Sequence, residues 1–173
     1  MKRIAIFLLL VGSYLGVAYA GSSVTTVILV RHAEKIVDPA VKDPPLSAGG
    51  EERARELARV LGSARIDVIY TTPYARTRQT AAPLASVLGL KPVETNAGLT
   101  YASEMAARIK ADHAGATLLL VGHSNTTPQV IRELGIADAP FIPESRYDDL
   151  FIVTLAPESK PRLLMLRYGA PAR

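Results

Sequence analysis

Two histidines and three arginines stand at the exits of three apolar runs. "VTTVILV" at 24–30 leads into Arg31 and His32, and "DVIY" at 67–70 into "TTPYARTRQT", which carries Arg76 and Arg78. "ATLLLVG" at 116–122 leads into His123 of "GHSN". A single histidine after a strand is ordinarily a hydrogen-bonded structural residue. Three separate deliveries of cationic side chains ask instead for an anion. A phosphoryl group fits, because its oxygens match the planar fork of a guanidinium. Phosphoryl transfer needs charge stabilisation on the equatorial oxygens and a nucleophile in line. A neutral imidazole can be that nucleophile and carry the group as a phosphohistidine.

The elements that must position these residues are legible as alternating strands and helices. The run 24–30 reads as a buried strand, 67–70 as a short one, "KPVETN" as a possible short one and 116–122 as a second buried one. Ser47 is placed to cap a helix running to about Leu61, with Glu51 and Glu52 in its first turn and Gly62 at its end. Residues 74–89 have a helical pattern in which Pro83 predicts a kink or a restart. Residues 102–113 and 127–134 read as further helices, the latter with Pro128 near its first turn. "LFIVTL" and "RLLMLRY" flank a turn at "APESKP" and predict a closing hairpin. The expected fold is α/β, a three-layer sandwich whose mostly parallel central sheet has one antiparallel portion and is flanked by helices. In such a sheet the carboxyl ends of the strands share one edge, where ligand sites form. Arg31, His32, Arg76, Arg78 and His123 all head for that edge.

With the motifs in order, a resemblance emerges. "LVRHAE", "PLSAGG", "TTPYARTRQTA" and "LLLVGHSN" together resemble the histidine phosphatase superfamily, in its phosphoglycerate-mutase-like branch, over most of residues 26–130. The resemblance implies that His32 is the phosphorylated nucleophile and that Arg31, Arg76 and His123 complete the phosphate pocket. Ser124, beside His123, is a further candidate contact to the substrate. Arg78 does not match a pocket arginine and reads as an ordinary helix or surface residue.

The sequence departs from the family at the general acid. Many members carry a glutamate shortly after a leucine, which here falls near Thr100 or Tyr101 in "NAGLTYASEMA". Glu104 is the nearest carboxylate and the candidate acid, with Asp148 and Asp149 next in line, although a glutamate at a helix start is also simply favoured there by the helix dipole. Some short phosphohistidine phosphatases resemble this chain, also lack the usual acid, and act on phosphoramidates. The expected activity is therefore hydrolysis of phosphomonoesters or phosphoramidates through phosphohistidine. The alternative is a binding module of the same fold that holds a phosphorylated ligand without turning it over.

Other readings fit less well. "VGHSNT" lacks the second glycine of a G-x-S-x-G elbow, and no histidine follows His123. His32, His113 and His123 show no close metal-ligand spacing, and His113 is expected to be exposed at a helix end. A mutase would need a larger cap over its substrate. No metal and no cofactor is implied, since fixed cations can take the place of a metal ion. Glu34 is the one carboxylate beside the predicted strand ends, and the resemblance gives it no ligand role. The implied partner is a small phosphorylated substrate or a phosphorylated envelope glycan.

Composition bounds the rest. The chain has 173 residues, enough for one domain with a full core, and 49% are hydrophobic. A net charge of +4 with only 6% aromatics gives no basic, aromatic-laced surface for nucleic acid. "MKRIAIFLLLVGSYLGVAYA" has the charged start, apolar middle and A-x-A end of a secretory signal. Residues 1–20 are thus read as a signal peptide and 21–173 as the phosphatase domain. An uncleaved anchor is the alternative, but the stretch is at the short limit for a span. Either way the expected location is periplasmic or secreted, with no stable membrane span after cleavage. Cysteine is absent, which removes disulfides, thiol nucleophiles and a lipoprotein anchor.

Overall fold

β1 (Thr25–Arg31) lies inside the sheet, with β4 (Thr117–Gly122) parallel on one side and β5 (Asp149–Leu155) antiparallel on the other. These are positions in a computed structural model of the chain, which describes residues 23–171. β2 (Val68–Thr71) and the two-residue β3 (Val93–Glu94) extend the sheet beyond β4, and β6 (Arg162–Arg167) closes the far edge in a hairpin with β5. The strand order is β3-β2-β4-β1-β5-β6, parallel through β1 and antiparallel after it. The expected mostly parallel sheet with an antiparallel portion is what the chain forms. The expected signal at 1–20 lies outside the described residues. Among the described residues no helix is long and apolar enough to cross a membrane.

The continuous apolar runs of β1 and β4 follow from covering on both faces. Val27 and Leu29 of β1, with Leu118 and Leu120 of β4, face one cluster that includes Met105 and Ile109 of α3 (Tyr101–Asp112) and Ile131 of α4 (Thr126–Glu133). Ile28, Val30, Leu119 and Val121 face the opposite cluster, with Leu57 and Leu61 of α1 (Ala48–Leu61) and Leu84 of α2 (Ala75–Leu88). Truncating one of these fully buried leucines to alanine costs about 2–5 kcal/mol.

Local chemistry sets the helix starts. Ser47 caps α1 as expected, its Oγ accepting from the Gly50 N–H at 3.2 Å. Gly50 is needed for a further reason. A Cβ there would meet the Glu34 carbonyl oxygen at 2.0 Å, so only glycine lets α1 seat against the segment just past His32. α2 takes its cap from elsewhere: the Asp43 carboxylate accepts from the Ala75 N–H at 3.0 Å. Pro83 neither ends nor restarts α2, which runs unbroken from Ala75 to Leu88. Its neighbours Leu84 and Ala85 are buried in the core, and that packing carries the helix past the missing N–H. His113 is not exposed as expected but half-buried, its Nε2 2.8 Å from the Tyr70 hydroxyl.

Candidate active site

β2, β4 and β1 are consecutive in the sheet, so their carboxyl ends deliver three segments side by side. Arg31 and Gly122 are register partners, and the His32 N–H donates to the Gly122 carbonyl at 2.9 Å. This fixes His32 beside His123. Gly122 must be small, because a Cβ there would lie 2.9 Å from the Thr127 Oγ1 of α4. Thr126 Oγ1 accepts from the His123 N–H at 3.0 Å, holding the turn that presents the ring. From β2, Thr72 Oγ1 sits 3.0 Å from His123 Nε2, and the first turn of α2 brings in Arg76. Thr80 joins the parts: its hydroxyl donates to the Arg76 carbonyl at 2.7 Å and accepts from the Ala33 N–H at 2.9 Å.

These side chains line one cavity of about 300 Å³, with Arg31, His32, Arg76, His123 and Ser124 in its wall. Lys35, Tyr74, Asn125 and Glu144 also line it. Arg31, His32 and His123 are buried, and the Arg76 side chain is 16% exposed, its guanidinium lying 4.3 Å from the centre of the Tyr74 ring. His32 Nδ1 is 2.7 Å from the Ala33 carbonyl oxygen, an acceptor, so this nitrogen carries the proton and Nε2 keeps its lone pair. Burial holds His32 at a pKa of about 3, with Arg31, His123 and Arg76 adding to the effect against the Ala33 hydrogen bond. Burial likewise pulls His123 down to about 4, assisted by Arg76 and Arg31. Both rings are neutral near pH 7.

Arg31 does more than face the cavity. Its Nη1 donates to the carbonyls of Pro143, Glu144 and Arg146 at 3.0, 2.8 and 3.0 Å, and its Nη2 to the Glu144 carboxylate at 2.7 Å. The Tyr147 ring lies against the guanidinium, 4.1 Å from its centroid. The Nε of Arg31 and the Nε of Arg76 are buried without a hydrogen-bond partner. The loop ahead of β5 is therefore held in place by a residue of β1.

Glu104 is elsewhere. It sits in the first turn of α3 and lines a separate cavity with Glu94, Asn96, Tyr101 and Arg108. The structure does not bring it to His32. The residue that sequence reasoning missed is Glu144, whose Oε1 accepts from Ser124 Oγ at 2.6 Å. The only sequence signal was the polar stretch "PESRYDD", which shows no periodicity. Arg78 stays outside the cavity, donating to the Pro73 carbonyl at 2.9 Å. Glu34 pairs with the buried Arg53 at 2.7 Å. Among the described residues, no group of three histidine, aspartate or glutamate side chains gathers as a metal ion would need.

Residues 27–103 match the model of the histidine phosphatase superfamily, branch 1. Over this stretch the chain is similar to the histidine phosphatase superfamily. Phosphoserine phosphatase 1 of Hydrogenobacter thermophilus is 39% identical over 72 residues, which make up 39% of this chain and 34% of that protein. The chain thus matches about a third of this curated relative's length. Among solved structures, the protein histidine phosphatase SixA complexed with tungstate superposes with a TM-score of 0.63 at 18% identity, covering 82% of this chain and 96% of that one. A mycobacterial glucosyl-3-phosphoglycerate phosphatase superposes with a TM-score of 0.62 at 15% identity, covering 85% of this chain and 99% of that one. At these identities the superpositions speak for the fold. The matched stretch contains Arg31, His32 and Arg76. His123 and the loop that carries Glu144 lie beyond it and still converge on the same cavity.

Proposed function

We propose that the protein is a phosphatase that hydrolyses phosphomonoesters or phosphoramidates through a phosphohistidine on His32. The observation that carries this reading is the state of His32 in its cavity: a neutral imidazole, its Nδ1 tied to a carbonyl, ringed by Arg31, Arg76 and His123. A nucleophile needs that free lone pair, and burial among cations keeps it unprotonated at neutral and mildly acidic pH. The arginines supply the charge that a transferring phosphoryl group demands. Their partnerless Nε–H groups are unusual for buried donors and would find acceptors in an anion.

In this mechanism Nε2 of His32 attacks phosphorus while the bond to the leaving oxygen or nitrogen breaks. Arg31 and Arg76 hold the equatorial oxygens. Water then attacks the phosphorus of phosphohistidine, the P–N bond breaks, its electrons return to Nε2, and phosphate leaves. Relatives that include a protein histidine phosphatase and a phosphoserine phosphatase support a phosphorylated small molecule or side chain as the substrate class. Phosphorylated envelope glycans fit the export that residues 1–20 suggest.

The test is a short incubation of the protein with ³²P-labelled substrate followed by quenching. An acid-labile, alkali-stable label on His32 is expected, and its absence in His32→Ala together with loss of turnover. Full turnover by His32→Ala would refute the mechanism. Vanadate binding without any hydrolysis would favour the non-catalytic module.

A further inference from the structure

We propose that Glu144 is the proton donor to the leaving group, an inference that rests on the phosphatase reading above. Among the described residues, Glu144 is the sole carboxylate lining the cavity that holds His32. It also lines a second cavity of about 320 Å³, formed with Ser124, Asn125, Pro128, Arg132, Phe141 and Ile142. The two cavities share Ser124, Asn125 and Glu144. A phosphorylated substrate with its phosphorus against His32 and the remainder in the adjoining cavity would place its scissile bond at this boundary. That is where a proton is needed when the bond breaks.

The backbone and side chain of Glu144 are held differently. Its carbonyl is anchored by Arg31 Nη1 at 2.8 Å, which fixes where the residue starts. Its side chain is 82% exposed and reaches back to Arg31 Nη2 and Ser124 Oγ. An exposed carboxylate on a fixed base can change partners at little cost. In the free protein it makes the kind of contact with Arg31 that a phosphoryl oxygen would make.

Charge then decides its protonation. Without substrate, the Ser124 hydrogen bond holds the Glu144 carboxyl below its ordinary value, against partial burial and with help from Arg31 and Lys35. The groups facing it are Arg31, Lys35, Ser124 and, across the cavity, Arg76 and the neutral His32 and His123. An incoming phosphoryl dianion takes over Arg31 and sets negative charge beside the carboxylate. Both changes favour the protonated form. Substrate itself thereby arms the acid. As Nε2 of His32 bonds to phosphorus, the P–O bond breaks and its electron pair stays on the leaving oxygen. That oxygen takes the proton of Glu144 and departs as an alcohol. The resulting carboxylate accepts a proton from the water that attacks phosphohistidine, which restores the acid. Glu104, lining a different cavity, is not placed for either step.

The experiment measures kcat/KM for Glu144→Gln and wild type across substituted phenyl phosphates and alkyl phosphates. Glutamine keeps the shape and can still bond Ser124, yet it has no acidic proton. The expected loss is about 10²-fold or more for alkyl phosphates, with p-nitrophenyl phosphate, whose leaving group needs no proton, within a few-fold of wild type. That retained turnover also reports that the variant is folded. Equal losses across the series would overturn the proposal and leave Glu144 a positioning residue for Arg31. Equal gains would overturn it in favour of a carboxylate that merely competes with substrate. A wild type that hydrolyses neither this series nor phosphoramidate would overturn the phosphatase reading itself.

Discussion

His32 and His123 meet edge to face, with ring centroids 5.4 Å apart and 66° between the planes. The contact is a product of register: their strands pair in parallel with Arg31 opposite Gly122, so the next residue of each lands in the same buried space. Two imidazoles kept neutral by burial leave a mark on stability.

Each histidine titrates near 6.5 when unfolded, whereas in the folded protein His32 does so at about 3 and His123 at about 4. Between these values the unfolded chain binds more protons, so stability falls as pH falls from about 6.5. The loss ends near pH 3 for His32 and near pH 4 for His123, below which each is protonated in both states. A tenfold difference in proton affinity between the folded and unfolded chain is worth about 1.4 kcal/mol, so even part of this effect moves the melting temperature by roughly 5 °C. Melting curves at pH 7.5 and 5 should show a larger drop for wild type than for His32→Asn. Parallel drops would show that His32 is not held neutral. The comparison stops short of the pH at which carboxylates ordinarily titrate, below which Glu34, itself held under its usual value, adds a loss of its own.

Arg31 and Arg76 should fail in different ways. Arg76 has no such backbone attachments, and Arg76→Ala is expected to lose about 10²-fold in kcat with little change in melting temperature. Arg31→Ala would lose activity and also release three loop carbonyls, lowering stability by about 2 kcal/mol or more. Thermal melts beside steady-state rates separate the two. Equal melting losses in both variants would contradict the anchoring role of Arg31.

Activity should survive extensive EDTA treatment and should not rise when Mg²⁺, Mn²⁺ or Zn²⁺ is restored. Arg31 and Arg76 supply fixed positive charge at the cavity, and such charge needs no dissociable ion. Vanadate, which adopts five-coordinate geometry, should inhibit. Loss of most activity on chelation with recovery by one metal would reopen the metal reading.

Export predicts a mature chain beginning at Gly21. Mass measurement on protein recovered from expressing cells checks this directly. A soluble cytoplasmic product that retains Met1 would contradict it.

What could be read from the sequence depended on how far each interaction reaches along the chain. The runs at 24–30 and 116–122 were visible because strands covered on both faces are apolar throughout. Ser47 was visible because its capping partner, Gly50, is three residues away. Pro83 misled, since the core contacts of Leu84 and Ala85 outweigh a local backbone preference. His113 misled likewise, because its Tyr70 partner comes from a distant strand. The loop ahead of β5 was read only for Asp148, with Asp149 at the start of the strand, as carboxylates to test after Glu104, and not for its shape. Its order comes from Arg31, more than a hundred positions upstream, and nothing in its own residues announces that attachment. Glu144 was hidden for the same reason.

The position of β1 also sets the order in which the molecule can come into being. Its neighbours are β4, which begins at Thr117, and β5, which begins at Asp149. A growing chain that has completed β1 through α3 holds His32 at the end of a strand with neither neighbour yet made. Contacts so distant in sequence must close long loops before they give any stability, which makes folding slow. The cavity that holds His32 and His123 therefore assembles late, after β4 and β5 have been made. If the proposed export holds, a chain crossing the membrane unfolded would lose nothing by such a schedule, because its cavity would close only after arrival.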